Sequence, residues 1–247
     1  MLKYIFLGIV QGLTEFLPVS SSGHLVILQN ILGIKEGGLA LSLILHLGTA
    51  FALIIFFFKD ILRLLRNIKL LSLILIVSII TGLIGILGKD FFESLFSAPR
   101  RVAIALIITG VILIVTKKFM DAKRNNLTIK DALVLGFTQA IAIIPGISRS
   151  GITISTLLFR KIDRETAFKF SFLVSIPVIF GAALLEAKKI KFVLNAGIIN
   201  FAVGFMFSLV SGLIALWLIK IIISRAKLYY FGFYCIFVAV ITLLFIK

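Results

Sequence analysis

The sequence predicts an all-α integral membrane protein with an inverted-topology internal repeat. Each half is expected to hold a re-entrant helical hairpin followed by three transmembrane helices. Three observations carry this. The 247-residue chain is 61% hydrophobic with a mean hydropathy of +1.20, against about 45–50% apolar residues in ordinary soluble domains. Its charged residues, only 15% of the total, cluster between long apolar runs. Finally, a polar island near the N-terminus recurs in order and spacing in the second half of the chain.

The first element is the short apolar segment Tyr4 to Leu17, below the ~20 residues that a straight crossing needs. Its start resembles a short signal peptide, with Met1 and Lys3 before an apolar stretch. No small-residue cleavage site follows and Glu15 interrupts the run, so it is expected to stay in the mature chain. The island "QGLTEFLPVSSSGHL", residues 11 to 25, then breaks the helix. Pro lacks a backbone donor and Ser competes for backbone hydrogen bonds. A second short apolar segment, Leu25 to Ile34, completes the first hairpin. Three spans follow, at about 39–58, 70–88 and 102–117.

The second half repeats the plan. Ile129 to Ile144 is a short helix, "TQAIAIIPGISRSGITI" at residues 138 to 154 is the break, and Ile152 to Phe159 is the returning segment. A shift of 128 positions lays Gly8 on Gly136, Gln11 on Gln139, Ser20 on Ser148, Ser22 on Ser150 and Gly23 on Gly151. "TGLIGIL" from Thr81 matches "SGLIALW" from Ser211 at a shift of 130. Three more spans, at about 167–187, 196–219 and 228–246, complete a single membrane domain over residues 1–247. Repeat one covers about 1–118 and repeat two about 128–247. Such irregular backbone survives at membrane depth only when buried in protein or lining a wet cavity.

An odd number of crossings per half turns the second copy upside-down, as in many transporters. Loop charge orients the whole. Sixteen basic residues, from Lys59 to Lys227, fall on the side opposite the N-terminus and nine on the N-terminal side. The richer side is expected to be cytoplasmic, with both termini outside. The net charge of +16 is thereby explained as anchoring to anionic lipid, and no nucleic-acid-binding module is visible. The single Cys235 excludes an intrachain disulfide.

Ionisable residues inside apolar segments are few, and each is a functional candidate. They are Glu15, His24, His46, Arg149 and Glu186. Glu186, one turn from Lys189, reads as an interface residue, and His46, with no polar company at its own level, as a hydrogen-bonded structural histidine. Glu15 is different, because an unpaired carboxylate in hydrocarbon is costly. It calls for a cation or for Arg149. Gln11, four residues earlier, shares its helix face.

Ser20, Ser21, Ser22 and Gly23 precede one helix, and Gly146, Ser148, Ser150 and Gly151 precede another. Helix N-termini bind anions, and Arg149 adds a fork matched to phosphate oxygens. A phosphate site shared between the two hairpin tips is expected, with Ser20, Ser22, Gly146, Ser148, Arg149, Ser150 and Thr153 lining it. Ser21 and His24, three apart, suggest phosphoryl transfer. Ser21 as nucleophile, His24 as nucleophile, and His24 activating water all fit the spacing.

These residues resemble a known family. "QGLTEFLPVSSSGHL" and "PGISRSGIT" look like the two signature motifs of the undecaprenyl-diphosphatases of the bacitracin-resistance type, and the resemblance covers essentially the full chain. It implies a plasma-membrane enzyme that hydrolyses undecaprenyl diphosphate to undecaprenyl phosphate, recycling the lipid carrier of cell-wall synthesis. It also implies a divalent cation, Mg²⁺ or Ca²⁺, and an active site open to the extracytoplasmic side. Glu15, Ser21, His24 and Arg149 match the family's catalytic positions. Glu15 matches the second acidic residue of the family's E/Q-x-x-x-E element and Gln11 its first position, where some members have Glu and the amide is a weaker ligand for Mg²⁺. The expected partners are a polyprenyl diphosphate lipid, the membrane and, as a candidate, a second copy of the chain.

Three other functions share parts of this pattern. Type-2 phosphatidic acid phosphatases share an "SGH" piece but need a later histidine, and none follows His46. An intramembrane Ser/His protease leaves Arg149 and Glu15 without a role. A transporter or flippase of an anionic polyprenyl-phosphate lipid suits the repeat, but Glu15, Ser21 and His24 are more reactive equipment than binding requires.

Overall fold

The computed structural model describes residues 1–33, 38–95, 99–185 and 198–245, and those residues are all-helical. Glu186 lies outside them. The first hairpin is α1 (Leu2–Phe16) and α2 (Ser21–Ile31). Then come α3 (Gly38–Phe56), α4 (Phe58–Leu64), α5 (Ile68–Leu87), α6 (Lys89–Leu95) and α7 (Pro99–Val115), which runs into a short 3₁₀ turn at Thr116–Phe119. The second hairpin is α8 (Ile129–Ile141) and α9 (Arg149–Phe159). The chain continues with α10 (Arg164–Leu185), α11 (Ile198–Ser224) and α12 (Tyr230–Phe245).

Four helices are long and apolar enough to cross a membrane: Ile68–Leu87, Pro99–Phe119, Arg164–Leu185 and Ile198–Ser224. The protein is thus a multi-pass membrane protein. A fifth span is bent. Ala40–Phe56 and Phe58–Leu64 meet at 74°, where the sequence predicts one straight span to residue 58. The break falls at Phe57, and α4 beyond it carries Lys59, Asp60 and Arg63, the charges that end the apolar run. The sixth expected span is the 16-residue α12, shorter than the other five.

The hairpins fall at the expected places, but their second helices begin at Ser21 and Arg149, before the apolar runs at Leu25 and Ile152. The reason is capping. Gly23 N–H donates to Ser20 Oγ at 3.3 Å, and Gly151 N–H donates to Ser148 Oγ at 3.1 Å. Each serine satisfies a backbone donor that the first helical turn leaves open.

Each first hairpin helix packs on a long span. Gly8 and Gly12 bring α1 to backbone contact with α11. A Cβ on Gly12 would lie 1.9 Å from Ser211 Oγ and 2.5 Å from Ser208 O. Small residues at four-residue spacing give this close approach between helices in lipid. Ser211 Oγ donates to Gly8 O at 3.4 Å, while across the molecule Thr81 Oγ1 donates to Gly136 O at 3.2 Å, joining α5 to α8. α12 packs along α7 in the same manner, and a Cβ on Gly232 would lie 2.5 Å from Gly110 O. The main core gathers Phe16, Phe57, Phe168 and Phe172 beneath the hairpin turns.

Candidate active site

The two hairpin turns are latched to each other. Ser20 holds a left-handed φ of 67°, a conformation costly for a residue with a Cβ. That geometry lets its Oγ accept Gly146 N–H at 3.1 Å and donate to Ile147 O at 3.4 Å. Gly146 has φ 100°, and a Cβ there would lie 2.3 Å from Val102 O, so only glycine fits. Thr109 on α7 closes the second turn, donating to Gly146 O at 2.9 Å and accepting Ser148 N–H at 3.0 Å. Ser150 Oγ donates back to Leu17 O at 3.3 Å.

This latch brings Glu15 and Arg149 into a direct ion pair across the tips. Phe16, fully buried against Phe172, pins the chain beside the carboxylate. Glu15 is only 7% exposed and is surrounded by donors. Arg149 Nη2 binds its Oε1. Ser21 Oγ donates to Oε2 at 2.5 Å, and Gln11 Nε2 donates to the same oxygen at 3.0 Å. The fourth neighbour is His46, whose Nε2 lies 3.5 Å from Oε2 while its Nδ1–H donates to Ser42 O at 2.7 Å. His46 is hydrogen-bonded as expected, but the expectation that it lacks polar company is corrected: α3 carries it to the carboxylate.

Two buried polar atoms at this site have no hydrogen-bond partner among the described residues: Arg149 Nη1 and Gln11 Oε1. A guanidinium N–H left without an acceptor suits an incoming anion. The remaining candidates divide. Ser148 and Ser150 stand beside Arg149, their hydroxyls 3.3 Å apart. Ser22 lies 3.4 Å from Ser20 Oγ, which is itself engaged in the latch. Thr153 turns inward, donating to Arg149 O at 2.7 Å and meeting Ser171 Oγ at 2.5 Å on α10. His24 does not bond Ser21. Its Nδ1–H donates to Ser20 O at 2.9 Å, and its Nε2 meets Tyr234 OH at 2.9 Å.

A family model for the bacitracin resistance protein BacA matches residues 4–241. The chain belongs to that family. This BacA-family chain is 44% identical over 240 residues to an undecaprenyl-diphosphatase of Carboxydothermus hydrogenoformans, covering 93% of this chain and 91% of that one. It is 40% identical over 253 residues to an undecaprenyl-diphosphatase of Halothermothrix orenii, covering 98% and 96%. A third, from Thermotoga petrophila, is 39% identical over 242 residues, covering 97% and 98%.

A feature of this BacA-family chain that escapes the sequence reading lies at the far end of α8. Asp131, fully buried, accepts from Arg124 at 2.7 and 2.8 Å and from Arg160. This clasp ties the segment before α8 to the end of α9. Burial pushes the Asp131 carboxyl up, but the hydrogen bonds from Arg124, Arg160 and Thr128 outweigh it and hold the group well below the usual carboxylate range. The signal was Thr128 three residues before Asp131, a capping-box spacing that the structure bears out.

Proposed function

We propose that the protein is a membrane phosphatase that hydrolyses undecaprenyl diphosphate to undecaprenyl phosphate and inorganic phosphate. The observation that carries this is the cage around Glu15. A serine hydroxyl aimed at a carboxylate, beside a guanidinium with a free N–H, is equipment for phosphoryl transfer. The names of the relatives point the same way.

In the reading the geometry favours, Ser21 Oγ attacks the terminal phosphorus and its proton passes to Glu15 Oε2. The bond from phosphorus to the bridging oxygen breaks, and the lipid monophosphate leaves. Arg149 Nη1 holds a phosphate oxygen throughout. Water then attacks the phosphoserine, giving its proton to His24 Nε2. The Ser21 oxygen recovers its proton from Glu15, inorganic phosphate departs, and His24 Nε2 releases its proton to bulk water, which restores the resting site.

The divalent cation is proposed to travel with the diphosphate, where it would neutralise phosphate charge. Both Glu15 oxygens are engaged by protein donors, and the described residues hold no group of three or more His, Cys, Asp or Glu that suits a metal. At the site, among the described residues, Gln11 Oε1 is a protein oxygen without a hydrogen-bond partner and so open to such an ion.

Sidedness is proposed from loop charge: termini outside and the site open to the extracytoplasmic face. The inverted repeat is proposed from the sequence echo and supported by its paired contacts, Ser211 with Gly8 and Thr81 with Gly136. A homodimer is proposed from the sequence reading alone, and light scattering in detergent checks it.

The deciding experiment measures phosphate release from undecaprenyl diphosphate by purified protein in detergent with Mg²⁺ or Ca²⁺. Divalent-dependent release is expected. Inactive protein that instead moved labelled lipid phosphate across vesicles would favour the transporter.

A further inference from the structure

His24 reaches its position through a helix that the sequence motifs do not mention. Its Nδ1–H is committed to Ser20 O, a carbonyl that can only accept, so Nε2 is the atom left to accept a proton. Tyr234 on α12 meets that atom at 2.9 Å, and with a neutral imidazole the phenol O–H is the donor. The two rings are also stacked, 3° from parallel with centroids 5.7 Å apart. One residue thus fixes both the plane of the imidazole and the direction of its lone pair.

Tyr234 is itself held on both sides. Two residues before it, Gly232 lies against the α7 backbone at Gly110. One residue after it, the fully buried Cys235 donates to Pro18 O at 3.6 Å, docking α12 on the turn that carries Ser20 and Ser21. The register between α12 and the first hairpin is therefore set beside the reactive serine.

We propose that Tyr234 is a positioning residue of the phosphatase reaction, holding His24 in its Nδ1–H tautomer with Nε2 directed at the incoming water. The inference rests on the phosphatase reading, in which His24 takes the proton of the water that attacks the phosphoserine. The phenol O–H must leave Nε2 for that transfer, and a substrate phosphate oxygen is the competing acceptor. No bond to Tyr234 is made or broken in the cycle.

Tyr234→Phe keeps the stacked ring and removes only the hydroxyl, so it separates positioning from packing. We expect kcat to fall about tenfold or more with KM changed less than about twofold, part of the 10²–10⁴ that general acid–base groups supply. The second readout is direct. The chain has two histidines, so ¹⁵N-histidine labelling shows two imidazoles, and a His46→Gln sample assigns them. Tyr234→Phe should shift the His24 Nε2 resonance and leave Nδ1 nearly unmoved. Wild-type kcat and unshifted His24 signals in an active, folded Tyr234→Phe protein would overturn the inference and leave the phosphatase reading standing. A wild type that releases no phosphate would overturn that reading, and the positioning role of Tyr234 with it.

Discussion

At the scale of single residues, the site is an acid made tolerable by its neighbours. Glu15 is buried inside the protein because Arg149, Ser21 and Gln11 all donate to it, and removing any donor acts on the reaction as well as on the fold. Ser21→Ala should lower the rate of phosphate release by at least about a hundredfold, the scale of losing a nucleophile held by its base. Burst-phase measurements on wild type, in search of a covalent phosphoenzyme, distinguish Ser21 attack from direct attack by water. Arg149→Lys should also fail. A lysine is a point charge without the planar fork that lets Nη2 hold Glu15 while Nη1 meets a phosphate oxygen. Much of this was legible in the sequence, because Glu15, Ser21 and Arg149 stand out against apolar surroundings. His46 and Tyr234 were not, since their partners are set by packing: Tyr234 is 210 positions from His24, and no local spacing encodes such a contact.

At the scale of elements, the short helices are held by latches at both ends. At the inner end, Gly146 is the residue on which the latch turns. Gly146→Ala would force a side chain into a left-handed backbone and against Val102 O, and should cost about 2 kcal/mol or more, read as a lower melting temperature in detergent. At the outer end, the Asp131 clasp gives a pH dependence. Its carboxyl is depressed by folding, so its stabilisation is present above the ordinary carboxylate value near 3.9 and is lost as pH falls through the folded value. Wild type should therefore melt at lower temperature as pH drops below about 4. Asp131→Asn should start less stable and lack that contribution. The hairpins were legible from helix length and Pro-Gly-Ser breaks. The bend after Phe56 was not, because hydropathy averages across the break between α3 and α4.

At the scale of the whole molecule, the two sequence halves echo each other in their break residues but not in their chemistry. At the 128-residue shift, Ser20 and Gly23 match Ser148 and Gly151, whereas Ser21 faces Arg149, Glu15 faces Ile143 and His24 faces Ile152. The proposed duplication thus leaves one composite site, with acid and hydroxyl from one half and guanidinium from the other. Orientation can be tested with introduced thiols, since the native Cys235 is buried. Arg100→Cys should react with an impermeant maleimide added outside cells, and Lys123→Cys should react only after permeabilisation. The reverse pattern would invert the proposed topology. The partnerless Nη1 of Arg149 has a thermodynamic consequence as well. A buried donor without an acceptor weakens the folded state, so an anion that completes it is coupled to folding. Free pyrophosphate at a hundred times its dissociation constant should add about 2.7 kcal/mol to the stability of the folded chain. That gain should disappear in Arg149→Ala, making heat resistance a measure of substrate recognition that needs no turnover.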